Sequence, residues 1–267
     1  MPPETIILLL VTGLCAGVLG GLLGIGGSVI MIPAITILLD KNQHLAQAAA
    51  MIVNVAVSAP AAWRHHLADA VRWDIFRRVL PFGLVFILIG VAVSALFTGR
   101  LEPLLTRLFG AFLIYVIFVN ILRMVRGRAD HEGADATDGW LPCGIVGAIT
   151  GFTGGLLGIG GGIIAVPLLQ RLCRLPLRQC IATSSAVMVI TAVIGATRKN
   201  MTLPTHVDEA GQALEIMDSL IVAGCLAPTA MIGGFLGARL NHVLPLSAVR
   251  IAFLVLLALA SARMLLS

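Results

Sequence analysis

The stretch Gly-Gly-Leu-Leu-Gly-Ile-Gly-Gly at residues 20–27 occurs again, unchanged, at residues 154–161. The two copies lie 134 residues apart in a chain of 267, so the sequence repeats at about half its own length. The similarity extends outward over residues 17–33 and 151–167. Repetition of this kind in apolar surroundings is typical of membrane transporters built from two structural repeats.

The composition is that of an integral membrane protein. Hydrophobic residues make up 58% of the sequence and charged residues 12%, about half of what a soluble domain carries. The net charge of +5 does not indicate nucleic acid, because the arginines lie in short loops between apolar segments, where basic residues set membrane topology. The five cysteines show no metal-binding spacing, so we expect no metal and no cofactor.

Each half of the chain divides into five apolar segments. We therefore predict an all-α integral membrane protein with one transport domain, made of an N-terminal repeat at 1–126, a cytoplasmic linker at 127–139 and a C-terminal repeat at 140–267. The predicted segments are 5–23, 28–39, 45–63, 75–97 and 103–125 in the first repeat, and 140–157, 162–172, 177–197, 218–240 and 245–266 in the second.

The second segment of each repeat is too short to cross a membrane. Residues 28–39 would span about 18 Å as a helix, against a hydrocarbon core of about 30 Å. We expect the first two segments of each repeat to form a re-entrant hairpin whose glycine-rich apex lies inside the membrane. Broken backbone at that depth requires protein or a cavity to satisfy its polar groups.

The charges of equivalent loops predict that the repeats are inverted. The loop after the third segment of the first repeat is basic, whereas the equivalent loop at 199–218 is acidic. Basic loops face the cytoplasm, so the two loops face opposite sides. We predict a multi-pass protein of the inner (plasma) membrane. Because each repeat has five segments, both termini then lie outside the cytoplasm.

The glycines at the start of the short segments predict an anion site. Helices that begin there would direct free N–H groups and a partial positive charge into the bilayer interior. The alternative is that the glycines only permit close helix crossing. The candidate ligand-binding residues are Gly24, Gly26, Gly27 and Ser28 in the first repeat and Gly158, Gly160, Gly161 and Gly162 in the second.

The third segments add neutral polar side chains. Thr183, Ser184 and Ser185 are successive in the second repeat, and Asn54 lies in the first, where residues 49–51 replace the hydroxyl run. These groups bind a ligand or form ordinary bonds between helices. No Asp or Glu lies well inside a predicted span, which argues against a cation substrate.

Basic residues close both third segments. Arg64 and His65 end the third segment of the first repeat, and Arg198 ends that of the second. They are candidates for attracting or gating an anion, and their alternative role is to anchor the helices at the membrane interface.

These motifs resemble those of the TauE/SafE family, also called the toluene-sulfonate uptake permease family. The resemblance rests on the paired Gly motifs, on residues 182–185, on residues 71–73 after a basic loop and on residues 237–240. It implies a secondary transporter or permease for a small anion such as sulfite, a sulfonate or a related sulfur-containing organic acid. It does not identify the exact anion or the direction of transport. It also leaves open whether a proton or sodium ion is coupled to transport and whether the protein forms a homo-oligomer.

Two other classes remain as alternatives. An intramembrane enzyme would need a base inside the membrane to activate Ser184 or Ser185, and the spans contain no such His or Lys, so we expect no enzyme. A non-transporting membrane scaffold or assembly factor is the stronger alternative, and it would move no anion.

The predicted topology can be tested with reporter fusions. A reporter that is active only in the cytoplasm should be inactive after Ser267 and active when inserted into the linker at 127–139, because the basic loops face the cytoplasm. Fluorescence or enzyme activity in intact cells measures this. Activity of the fusion after Ser267 would contradict both the extracytoplasmic termini and the inverted repeat.

Overall fold

A computed structural model describes residues 3–23, 27–126, 139–207, 212–240 and 246–266. Within these ranges the chain is helical, and the only β-type pairing is an isolated bridge between Val207 and Ala213. The predicted linker at 127–139 lies outside the described residues except for Gly139. The helices are α1 (Pro3–Leu23), α2 (Ser28–Pro33), α3 (Gln43–Leu67), α4 (Trp73–Ala95), α5 (Glu102–Arg126), α6 (Trp140–Leu157), α7 (Gly162–Leu172), α8 (Leu177–Thr202), α9 (Ile216–Leu240) and α10 (Leu246–Leu266).

Seven helices in the described part of the chain are long and apolar enough to cross a membrane. The short helix α2 continues as a π-helical turn over Ala34–Leu38, and α7 is 11 residues long. Both are too short to span, as predicted for the second segment of each repeat. The predicted all-α integral membrane protein is confirmed, whereas the direction of each helix across the bilayer stays a prediction.

The helices that carry the polar residues are longer than predicted. Helix α3 begins at Gln43 and α8 continues to Thr202, so both extend past the expected ends of their apolar segments. The Asn42 side chain caps α3 by accepting a hydrogen bond from the His44 N–H at 2.8 Å. Hydropathy ends a helix where polar residues begin, but here four of those polar residues, Gln43, His44, Lys199 and Asn200, are buried inside the bundle.

Equivalent helices exchange partners across the bundle. Helix α1 packs against α9 and α6 packs against α4, so the first helix of each half contacts the fourth helix of the other. The third helices, α3 and α8, pack against each other, and α5 packs against α10. This exchange is what twofold-related repeats would produce, although the inverted orientation of the two halves stays a prediction.

The helical part of the repeated motif serves close packing. A side chain on Gly17 in α1 would collide with the Ala230 carbonyl of α9, and one on Gly151 in α6 would collide with the Gly83 carbonyl of α4. Gly155 meets the Ile87 carbonyl in the same way. Close helix crossing is therefore the role of Gly17, Gly151 and Gly155, while the same alternative for the glycines at the start of the short helices stays open.

Enlarging one of these glycines should separate α6 from α4. We expect Gly151→Val to destabilise the protein by about 1–3 kcal/mol, because overpacking at a backbone contact forces the helices apart. The thermal unfolding midpoint in detergent measures the effect. Gly224→Val is the matched control, since Gly224 is also helical but a Cβ added to it would have no described atom within 4 Å. Equal midpoints for the two variants would contradict the packing role.

Candidate functional site

The turn between α6 and α7 is unwound backbone held by glycine. Gly158, Gly160 and Gly161 have φ angles of 74°, 71° and 79°, in the left-handed region that disfavours side chains. Helix α7 begins directly afterwards, and the Gly161 carbonyl accepts the N–H groups of Ile164 and Ala165 at 3.1 and 3.0 Å. The glycines that follow α6 therefore break the helix, whereas those within it pack.

The start of the other short helix lies beside this turn. The Ser28 hydroxyl, at the beginning of α2, donates a hydrogen bond to the Ile159 carbonyl at 3.1 Å. Gly27 precedes it with φ −84° and ψ −21°, an ordinary helical conformation. Gly24 and Gly26 lie outside the described residues. The starts of the two short helices thus approach each other, as the sequence-based hypothesis of converging N-termini requires.

A small cavity lies at the start of α7. Its volume of about 10 Å³ is close to what a single water molecule requires. Ser184 of α8 lines it, and the described residues that surround it include no carboxylate. The lining residues are Thr150, Gly151, Gly160, Gly161, Gly162, Ala165, Ser184, Val187, Met188 and Thr191.

Asn54 points its amide at the same turn from α3. A Cβ placed on Gly160 would lie 2.9 Å from Asn54 Nδ2, so the amide nitrogen contacts the turn directly. Asn54 is 2% exposed, and this nitrogen has no hydrogen-bond partner among the described residues. Unpartnered amides are rare in a buried site, so the Asn54 N–H groups are available to a ligand.

Asn54 belongs to a polar stripe on one face of α3. The stripe follows helical spacing, is buried and has side-chain atoms without partners among the described residues. Gln47 packs against Gly158 of the turn, and a Cβ there would lie 2.6 Å from the Gln47 Cβ. The sequence showed only that Gln47 is polar, not that it contacts the turn. The stripe consists of Gln43, Gln47, Asn54 and Ser58.

The three successive hydroxyls of α8 have different surroundings. Only Ser184 lines the cavity, because neighbouring residues on a helix point in different directions. The Thr183 hydroxyl accepts a hydrogen bond from the Arg72 N–H at 3.1 Å, just before α4. The Ser185 hydroxyl donates to the Ile181 carbonyl of its own helix at 2.8 Å. Thr183 and Ser185 are thus placed away from Ser184's cavity.

The candidate gating residues are accessible at the ends of α3 and α8. Arg64 and Arg198 are exposed, and His65 is half-buried. The Arg64 guanidinium lies over the Phe235 ring of α9, 5.8 Å from its centre. These positions suit both an anion-attracting role and an interfacial anchor.

Lys199, next to Arg198, points into the bundle instead. It is 1% exposed, and its ammonium donates to the Ser94 hydroxyl at 2.7 Å and to His44 Nδ1 at 3.0 Å. No carboxylate among the described residues lies within ion-pair distance of Lys199. This burial was not predicted from the sequence, because a Lys at the end of an apolar segment is most often an interfacial anchor.

Two stacked histidines cover Lys199. The rings of His44 and His206 lie 3.7 Å apart. His44 Nε2 lies 2.8 Å from the Phe97 carbonyl and donates to it, which leaves Nδ1 to accept from Lys199. The pKa of His206, just beyond the spanning part of α8, is lowered to about 4 by its burial and by the Lys199 charge, so His206 is neutral at pH 7.

An unwound helix start beside a buried polar stripe, inside a helical membrane bundle, is an arrangement that many membrane transporters share. Residues 9–264 match the family described as "Sulfite exporter TauE/SafE". This match covers nearly the whole chain, and the chain belongs to that family. The family is one of membrane transporters, in agreement with the prediction that the chain is not an enzyme.

Curated relatives carry corresponding names. "Probable membrane transporter protein YunE" of Bacillus subtilis is 27% identical over 88% of both chains. A "Probable membrane transporter protein" of Xylella fastidiosa is 31% identical over 69% of this chain and 70% of its own. "Probable membrane transporter protein MamO" of Paramagnetospirillum magneticum is 25% identical over 97% of this chain, which spans only 44% of that relative. No solved structure matches the chain.

Proposed function

We propose that the chain is a secondary transporter or permease for a small anion, namely sulfite, a sulfonate or a related sulfur-containing organic acid. The anion binds between the starts of the two short helices. The observation that carries this proposal is the unwound turn at residues 158–161, where the buried, unpartnered Asn54 amide meets the start of α7.

The turn lies at the depth of the spanning helices. Asn54 is near the middle of α3, and Met188, which lines the cavity, lies well within α8. The first N–H groups of α7 have no partner within their own helix, and they carry a partial positive charge. With no carboxylate among the lining residues to oppose it, this end of α7 favours an anion.

The cavity must enlarge to accept the proposed substrate. A space of about 10 Å³ admits one water but not a sulfonate headgroup. The described conformation is therefore closed around the site. We propose that opening toward one side and then the other gives transport, with the basic residues Arg64, His65 and Arg198 attracting the anion at the ends of the helices.

Uptake experiments test this function directly. Proteoliposomes containing the protein should accumulate radiolabelled sulfite or taurine above the level of empty liposomes. The same assay with an imposed proton or sodium gradient identifies the coupling ion. Absence of uptake for every small sulfur anion tested, with correctly inserted protein, would favour the scaffold alternative.

A side chain in the turn should block the site. Gly161→Ala should abolish uptake, because its Cβ would lie 2.7 Å from the Thr150 carbonyl and force the turn to move. Gly99→Ala is the matched control, since Gly99 also has a positive φ of 53° but no described atom within 4 Å of an added Cβ. The backbone strain is shared, so uptake should persist in Gly99→Ala. Normal uptake by Gly161→Ala would contradict a role of this turn in binding the substrate.

The Asn54 amide gives the second test. Asn54→Ala should weaken transport by about one hydrogen bond, near 1 kcal/mol or fivefold in KM, whereas Asn54→Asp should stop it by repelling the anion. Uptake is measured at pH 8, because a higher pH favours the charged form of the new carboxyl group. Asn120→Asp on α5 is the control for placing a carboxylate in the membrane. If Asn54→Asp takes up the substrate as well as the wild type does, the Asn54 side chain does not contact the substrate.

A further inference from the structure

A larger cavity lies between the closing turns of α3, the start of α4 and the middle of α8. Its volume is about 490 Å³, within the range of about 300–1,000 Å³ that is typical of pockets for small molecules. This apolar groove is lined by Ala59, Ala62, Trp63, His66, Val71, Trp73, Phe76, Ala186, Val189 and Ile190.

The apolar groove and the small cavity beside the glycine turn use opposite faces of α8. Ser184 and Met188 line the small cavity, whereas Ala186, Val189 and Ile190 line the groove. At the periodicity of an α-helix these two sets of side chains point away from each other. The groove is therefore separate from the proposed substrate site.

The lining of the groove suits a hydrocarbon chain rather than a small anion. Of the described residues that line it, only His66 has an ionisable side chain. Trp63 is 64% exposed and Trp73 is 43% exposed, so the groove opens at the outer surface of the bundle. Leu67, one turn beyond Trp63, and Val193, one turn beyond Val189, are exposed as well. A continuous apolar surface on membrane-spanning helices faces lipid.

The groove begins at the membrane boundary and continues inward. Residues 68–72 connect α3 with α4, and both helices are long enough to span, so this connection lies at one membrane surface. The His66 ring lies beside it, with its centre 6.2 Å from that of Trp63 and 5.5 Å from that of Trp73. Tryptophan prefers this interfacial depth. Ala59, eight residues before the end of α3, lies about 12 Å deeper along the helix.

Basic side chains surround the mouth of the groove. Arg178 lies in the first turn of α8, on the same face as Val189, and it is exposed. His65 of α3 is within electrostatic reach of Arg178. Arg72, just before α4, is paired with Asp74 at 2.6 Å. The described residues at the mouth therefore carry a net positive charge, which favours a negatively charged group there.

The linker at 127–139 does not have the composition to fill the groove. It consists of glycine, alanine, threonine and charged or ionisable residues, and it contains no large apolar side chain. The occupant must combine an apolar chain with an anionic end, and the bilayer supplies molecules of this kind.

We propose that the apolar groove binds one acyl chain of an anionic phospholipid, whose phosphate headgroup contacts Arg178 at the membrane surface. The predicted topology places this end of α3 on the cytoplasmic side, where basic residues attract anionic lipids. The bound lipid contacts α3, α4 and α8 together and so stabilises their packing. This inference does not depend on the proposed transport function.

Tryptophan fluorescence reports on the groove directly. The chain has three tryptophans, of which Trp63 and Trp73 line the groove, while Trp140 lies exposed at the start of α6. In Trp140→Phe all tryptophan fluorescence comes from the groove. The matched control is Trp63→Phe/Trp73→Phe, in which only Trp140 remains. Purified full-length protein in detergent is titrated with phosphatidylglycerol or phosphatidylcholine that carries bromine, a contact quencher, on its acyl chains.

We expect the anionic lipid to quench the groove tryptophans at a mole fraction about fivefold lower than the zwitterionic lipid does, because a basic residue attracts its headgroup. Trp140 should be quenched by both lipids at similar mole fractions. Arg178→Gln in the Trp140→Phe background should remove the preference, whereas Arg198→Gln, exposed at the other end of α8, should keep it.

Filling the groove tests the position of the acyl chain. Ala59→Phe, also in the Trp140→Phe background, should reduce quenching by both lipids, because the added ring occupies the groove. Ala258→Phe is the matched control, since Ala258 is an exposed alanine on α10, which does not line the groove. Equal quenching in these two variants would contradict binding of the chain in the groove.

Two further results would overturn the proposal. Quenching of the groove tryptophans without preference for the anionic lipid would contradict the role of the headgroup. Quenching of Trp140 alone would show that protein covers the groove, either a second copy or another segment of this chain. If Arg178→Gln does not fold, high salt replaces it, because screening should remove the preference in Trp140→Phe. No substrate enters these measurements, so their failure leaves the proposed transport function standing.

Discussion

Backbone polar groups that leave a helix inside a membrane must find partners in the protein, and the rest of this bundle follows from that requirement. The turn at residues 158–161 leaves the helix at the depth where α3 and α8 are mid-span. The Ser28 hydroxyl satisfies the Ile159 carbonyl, and Asn54 and Gln47 surround the turn with amides. Helices must approach closely to provide this shell, and the packing glycines of α1 and α6 make that approach possible.

The repeated glycines thus have two physical roles that the sequence could not separate. A glycine inside α6, such as Gly151, and a glycine after it, such as Gly161, look alike in the sequence. Only the structure shows that the first contacts a facing carbonyl while the second has a positive φ. The number of apolar segments, the two short ones and the all-α class were predictable, because these depend on hydropathy and length alone.

Side-chain direction was the part that hydropathy could not predict. Thr183, Ser184 and Ser185 are equally polar, yet one helical turn distributes them to α4, to the cavity and to their own backbone. Lys199 follows Arg198 at the end of a predicted span, and it lies inside because His44 and Ser94, from distant parts of the chain, accept hydrogen bonds from its amino group. Such contacts depend on how α3, α4 and α8 meet, which no local pattern encodes.

The two halves of the bundle place different side chains around the turn at residues 158–161. Helix α3 provides amides at Gln47 and Asn54, whereas the repeat-related positions of α8 are Ile181 and Met188, and α8 provides Ser184 where α3 has Ala50. Amides therefore approach the turn from α3, and a hydroxyl lines the adjacent cavity from α8. The duplicated glycine motif is identical in sequence, while the polar side chains of the third helices differ between the two halves.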